Sequence, residues 1–236
     1  MNLPLKIARR YFFSKNKKQF INIISVISMI VVAVGTMALI IALSVFNGLE
    51  EVIMGLHNTY YADLQITPEK GKSFVVKEDL LKKIQAIEGV ELISEIIEDN
   101  AVLKYREGQM VVTAKGVSDN YLQQTKMNNA IVYGDFIIKE GKRNYAVIGR
   151  GVQLILSVSL RNELDPLQMW YPRKMKKVNL SSFSPEKSFN RKAIFPSGVF
   201  SLEKSYDEKD VFVPLDFMKE LLEYGDKRTS LEIKVK

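Results

Sequence analysis

QFINIISVISMIVVAVGTMALIIALSVFNGL, residues 19–49, runs for 31 residues without one charged side chain. As an α-helix it would extend about 46 Å. A bilayer core needs about 20 residues, so the run can cross with length to spare. A cleaved signal peptide has a shorter apolar core, about 7–15 residues, and leaves through a small-x-small step. This run exits through Ser44-Val45-Phe46-Asn47-Gly48 instead, and it reads as a retained anchor.

The flanking charges give the orientation. Lys6, Arg9, Arg10, Lys15, Lys17 and Lys18 precede the run, Glu50 and Glu51 follow it, and no acidic residue occurs before Glu50. Lys and Arg stay on the cytoplasmic side of a span. Residues 1–18 are therefore expected in the cytoplasm and everything after Leu49 outside. Residues 3–13 mix apolar, aromatic and basic side chains, as would suit a short helix lying at the inner interface. A merely basic flank would account for the charges equally well.

The same tail explains the net charge of +7. Without it the chain holds 28 basic and 27 acidic residues, which does not call for the basic face of a nucleic-acid binder. There is no cysteine, which excludes disulfides and thiolate-held metal.

Within the span, Ser28, Gly35 and Ala42 recur every seven residues with Ala38 beside them. Small residues let helices approach closely in lipid, and the stripe is expected to pack against other membrane helices. Beyond it Leu49, Val52, Ile53 and Leu56 keep helical spacing. That predicts a short stalk over residues 50–57, to about His57. His57 is the only histidine, so a metal centre or a catalytic triad is not expected there.

Residues 58–236 read as one α+β domain. Residues 63–67 alternate like a strand and end at Pro68. Residues 78–87 place Leu80, Leu81, Ile84 and Ile87 at helical spacing, stopped by Gly89. Strands are predicted over 90–97, 101–105 and 110–115, the last two joined across Arg106-Glu107-Gly108-Gln109. Residues 118–129 read as a polar loop. Further strands are predicted over 145–148, 167–171, 192–202, 211–213 and 231–235, and helices over 152–158 and 215–222. Residues 175–189 lack clear periodicity and read as a projecting loop.

No chemistry-bearing motif stands out. Gly141-Lys142-Arg143 lacks the spacing of a phosphate-binding loop, and no G-x-S-x-G elbow occurs. The acidic stretch 203–210 lacks calcium-loop spacing. No catalytic, cofactor or metal residues are assigned, and the chain is not expected to be an enzyme.

Ile7-Ala8-Arg9-Arg10-Tyr11-Phe12, Ile21-Asn22-Ile23-Ile24-Ser25-Val26-Ile27-Ser28 and the exit Leu43-Ser44-Val45-Phe46-Asn47-Gly48 carry a family likeness. They resemble the first membrane segment of the lipoprotein-releasing (Lol-type) ABC permeases. Ile148-Gly149, residues 162–171 and Asp210-Val211-Phe212-Val213-Pro214-Leu215 resemble that family's MacB-like periplasmic core. The resemblance implies a mixed α/β part with a β-rich insertion, here at about residues 165–214. It implies an inner-membrane permease paired with a second permease subunit, like or unlike. A separate ATPase subunit would bind the ATP, and a lipoprotein would pass from membrane lipid to a periplasmic carrier. A loop of the insertion would hook that carrier, and its counterpart here comprises Lys174, Lys176, Lys177, Phe183, Ser184, Pro185 and Arg191. From composition alone that loop reads equally as a solvated basic segment. The likeness covers the first half of such a permease, so this chain alone is not expected to transport. Related readings are a MacB-type efflux subunit and an FtsX-type regulator of cell-wall hydrolases. A rival of another class is a single-span, anchored periplasmic binding scaffold.

Overall fold

A computed structural model describes residues 3–12, 19–161, 164–173 and 188–236. The chain divides into two compact units, up to Met54 and from Gly55. The first contains α1 (Leu3–Phe12) and most of α2 (Gln19–Tyr60). Residues Ile23–Gly55 of α2 are long and apolar enough to cross a membrane, and none is buried. The polar atom of Thr36 is satisfied within the helix, where its hydroxyl donates to the carbonyls of Val32 and Ala33, each at 3.0 Å, as a dry medium requires. Ser28, Gly35, Ala38 and Ala42 are exposed, and a Cβ on Gly35 would meet nothing within 4 Å.

The second unit is built on a sheet. Its strands are β1 (Leu64–Ile66), β2 (Phe74–Val75), β3 (Val90–Tyr105), β4 (Gly108–Val117), β5 (Ile131–Gly134), β6 (Lys139–Glu140), β7 (Arg143–Gly149), β8 (Leu167–Pro172), β9 (Phe189–Phe200), β10 (Asp210–Pro214), β11 (Lys227–Arg228) and β12 (Ser230–Val235). Its helices are α3 (Glu78–Gln85), α4 (Tyr121–Gln124), α5 (Arg150–Leu156), α6 (Lys204–Asp207) and α7 (Leu215–Leu222). The main sheet runs β1-β12-β3-β4-β10-β7-β9-β5, and β8 pairs with both β3 and β9.

That double pairing closes a ring of ladders, from β3 through β4, β10, β7, β9 and β8 back to β3. Closure leaves these six strands few free edges. All six feed one apolar cluster, including Leu103 and Tyr105 of β3, Ala114 of β4, Ile148 of β7, Leu167 and Met169 of β8, Ile194 of β9 and Val211 of β10. α5 and α7 add Val152, Phe217, Met218 and Leu221 to it. A second cluster lies on the opposite face of β10, where Phe212 meets Tyr60, Tyr121, Phe136, Val147 and Phe200. Covered on both faces, β10 is buried at every residue, which explains its unbroken apolar reading. A third, smaller cluster seats α3 on β12 through Ile84, Leu231 and Ile233.

Three local expectations differ from the structure. Residues 90–97 and 101–105 are one 16-residue strand, β3, rather than two. The polar step Glu98-Asp99-Asn100 continues the ladder because its backbone pairs with Lys115, Ala114 and Thr113 of β4. Hydrogen bonding across the sheet outweighs local propensity there. Residues 118–129 are not an open loop. They form α4 and a 3-10 turn, Met127–Ala130, with Tyr121 and Met127 fully buried. The strand expected over 192–202 begins earlier, at Phe189, because Phe189, Asn190 and Arg191 pair with Pro172, Tyr171 and Trp170 of β8.

Two glycines set how closely α6 approaches the sheet. A Cβ on Gly149 would run into the backbone carbonyl of Asp207, and one on Gly151 would lie 2.7 Å from the Cα of Glu208. Neither obstacle is a flexible side chain. Gly149→Ala is expected to destabilise the chain by about 3 kcal/mol, read as a lowered melting temperature in detergent. Gly35→Ala, which meets nothing, should leave that temperature unchanged.

Candidate functional site

The most polar interior point of the second unit lies where α2 ends. Lys115 sits in β4 and Glu232 in β12, on either side of β3. Lys115 Nζ stands 2.8 Å from Glu232 Oε1, and the two side chains are 4% and 5% exposed. Burying one such ion costs several kcal/mol, which its attraction to the other partner offsets. Three rings help: Lys115 Nζ lies 4.8 Å from the centroid of Tyr60, 5.3 Å from Tyr121 and 6.0 Å from Phe212, within cation–π range. Burial works against the lysine's charge, but the coulombic pull of Tyr121 and Glu232 outweighs it and holds the amine above its ordinary value.

Tyr60, the last residue of α2, is buried and caps this cluster. Its ring stacks on Tyr206 at 4.3 Å and meets Phe212 edge-on at 6.0 Å. Its hydroxyl donates to Asp210 Oδ2 at 2.6 Å. Burial, followed by the neighbouring Asp210 charge, raises the phenol well above its ordinary value, so it remains a donor. Asp210 opens β10, and its Oδ1 has no hydrogen-bond partner among the described residues. Burial pushes the Asp210 carboxyl up to about 6, the Tyr60 hydrogen bond pulls against that rise, and Glu98 adds to it. Tyr121 is pushed up to about 12 by burial, against the pull of Lys115. Next to the cluster the Tyr61 and Tyr206 hydroxyls lie 2.6 Å apart. The arrangement fixes the end of one helix to three strands through a buried charge cluster.

The residues singled out for partner binding fare differently. Lys174, Lys176, Lys177, Phe183, Ser184 and Pro185 lie outside the described residues. Arg191 is described and sits on β9 opposite Trp170 of β8. Its guanidinium lies 4.1 Å from the Trp170 ring centroid, and Lys104 lies 5.8 Å from that ring. The β8–β9 ladder continues to the Arg173 N–H, which donates to the Ser188 carbonyl at 2.8 Å. Trp170, Arg173, Phe189 and Arg191 lie together at this end of the β8–β9 ladder. Sequence reasoning passed over Trp170 and Lys104, and it passed over the whole Tyr60–Asp210–Lys115–Glu232 cluster. The one available signal was a lysine and a glutamate set within otherwise apolar strand patterns.

Two outcomes follow from the charge cluster. Lys115→Met leaves Glu232 buried and unpaired and should cost about 3–5 kcal/mol in urea denaturation, whereas adding Glu232→Leu should recover most of it. Asp210 also imposes a pH dependence. The folded protein holds this proton up to about pH 6, against 3.8 for an unperturbed carboxyl. Its stabilising contribution is therefore fully present below the unperturbed value and is lost as pH rises through 6. Relative to Asp210→Asn, the native chain should lose roughly 2–3 kcal/mol between about pH 4 and pH 7, measured as the difference between the two denaturation series.

With the geometry in hand, the chain can be compared with known proteins. The extracellular domain of the noncanonic ABC-type transporter YknZ from Gram-positive bacteria aligns at a TM-score of 0.47 and 14% identity, over 71% of this chain and 75% of that one. The periplasmic region of MacB from Actinobacillus actinomycetemcomitans aligns at 0.38 and 11%, over 65% and 62%. A domain of a putative permease protein from Porphyromonas gingivalis aligns at 0.41 and 13%, over 66% of each chain. Residues 25–157, more than half of the sequence, match the family model of the MacB-like periplasmic core domain. The α/β unit that follows the apolar helix α2 thus has its family: this chain belongs to the MacB-like periplasmic core domain proteins.

Proposed function

We propose that the chain is a membrane subunit of an ABC transporter that passes conformational change between the membrane and an external domain, and that its cargo is a lipoprotein. The observation that carries this is the end of α2, an apolar helix whose last residue is hydrogen-bonded to a buried carboxylate in a MacB-like domain. A helix end so held cannot shift without disturbing β10 and, through Lys115 and Glu232, β4 and β12. That suits a part that transmits movement, and it has no use in a passive tether.

In this reading residues 1–18 are cytoplasmic, α2 crosses the inner membrane, and residues 58–236 are periplasmic, in keeping with the basic flank. ATP is hydrolysed by a separate ATPase subunit. A second permease subunit packs against the small face Ser28, Gly35, Ala38 and Ala42. Residues 174–187, with Lys174, Lys176, Lys177, Phe183, Ser184 and Pro185, together with Arg191 of β9, engage a periplasmic lipoprotein carrier. Seven basic residues against the single Glu186 between Pro166 and Phe200 favour an acidic face on that carrier.

Depleting the protein from its host should leave lipid-anchored proteins in the inner-membrane fraction and leave drug susceptibility unchanged. The opposite pattern would mark an efflux subunit, and a cell-separation defect alone would mark a regulator of wall hydrolases. In the same host, a photoreactive residue at Phe183 or Lys177 should crosslink to the carrier, while one at exposed Lys82 of α3 should not. Crosslinks at neither loop position would remove the hook assignment.

A further inference from the structure

The cluster under Tyr60 contains one titratable group that the transmission reading does not use. Asp210 is buried, and one of its carboxylate oxygens has no hydrogen-bond partner among the described residues. The other accepts the Tyr60 hydroxyl. The charged and titratable groups that act on it come from every packed element. These are Tyr60 of α2, Glu98 of β3, Lys115 of β4 and the adjacent Lys209, with Tyr206 of α6 coupled electrostatically to the same carboxyl. Lys115 is committed to Glu232 of β12. With Asp210 ionised, this interior holds two carboxylates and one ammonium, and exposed Glu98 adds a further negative charge nearby. With Asp210 neutral, Lys115 and Glu232 balance.

We infer that the Asp210 carboxyl and the Tyr60 hydroxyl form a proton-operated latch, closed when Asp210 is ionised and slack when it is protonated. A phenol donating to a carboxylate makes a short, charge-assisted hydrogen bond about twice as strong as its neutral counterpart. Taking up a proton at Asp210 removes that advantage while relieving the excess of negative charge. The folded domain as a whole therefore becomes more stable on acidification while the hold on the end of α2 becomes weaker. These opposed directions separate a latch from simple acid unfolding, which would loosen both. The transition falls near pH 6, within reach of an extracytoplasmic compartment. The latch stands on the domain's own geometry, so it holds or fails independently of the cargo.

Hydrogen exchange on the full chain in detergent tests it. After correction for the chemical exchange rate, amides of residues 58–62 should exchange about fivefold faster at about pH 5 than at about pH 7.5. Amides of β3 and β4 should not speed up. Asp210→Asn and Tyr60→Phe should show the fast exchange at both pH values. Glu98→Gln, an exposed change that spares the fold, should keep the transition and move it to lower pH, because a like charge that raises the Asp210 pKa is gone. His57→Gln should leave it in place, which separates it from the titration of the chain's single histidine. Native exchange independent of pH would overturn the latch, as would a transition that survives Asp210→Asn or vanishes in His57→Gln.

Discussion

Everything in the second unit rests on β8 being bonded on both sides. By pairing with β3 through Val102–Lys104 and with β9 through Phe189–Ile194, it turns an open sheet into a ring, and the ring gives six strands one interior. The alternation of each strand then becomes consequential. One set of side chains enters the shared cluster, and the other is left to be covered or wetted according to what lies outside. On β4 the outward set changes character along its length, from Val111, 62% exposed, to Lys115 and Val117, both buried. The change occurs where Tyr60, Tyr121 and the segment up to Ile138 cover the ring from outside.

This is why the cluster at Lys115 was not legible. An amine at an outward position of an amphipathic strand reads as solvated, and nothing within residues 110–117 says otherwise. Its burial is imposed by residues outside the strand, the end of α2 and the short α4 turn. The turn itself was misread as a loop, because its polar residues outnumber the two anchors, Tyr121 and Met127, that fix it. What could be read was what is local. The apolar run of α2, the helix at residues 215–222, the strand over 167–171 and the stop at Gly89, whose φ is +95°, are each decided by residues within a turn or two. The polar triplet at residues 98–100 failed for the opposite reason, since its neighbours across the sheet keep it extended.

The family resemblance supplied an architecture that periodicity could not, and the match over residues 25–157 carries that much. It did not supply the residues that join α2 to the sheet. Those emerged from distance and burial alone. They are an ion pair, a phenol–carboxylate bond and a stack of rings, gathered within a few ångströms of the point where an apolar helix stops. A structure that needed only an anchor could have used a flexible tether after Gly55. Instead the helix continues to Tyr60 and finishes among the buried charges of the domain, with its hydroxyl bonded to Asp210.

The bond between Tyr60 and Asp210 joins positions 150 residues apart. A ribosome adding roughly 5–20 residues each second delivers the acid some ten to thirty seconds after the phenol. Throughout that interval the newly made helix end faces solvent with nothing to rest against. Its neighbour β1 waits longer still, since its only strand partner among the described residues is β12. Completion of this domain is therefore a late event: a strand made early is paired by one made much later, and a nascent chain halted between them would expose the very aromatic rings that the folded domain hides.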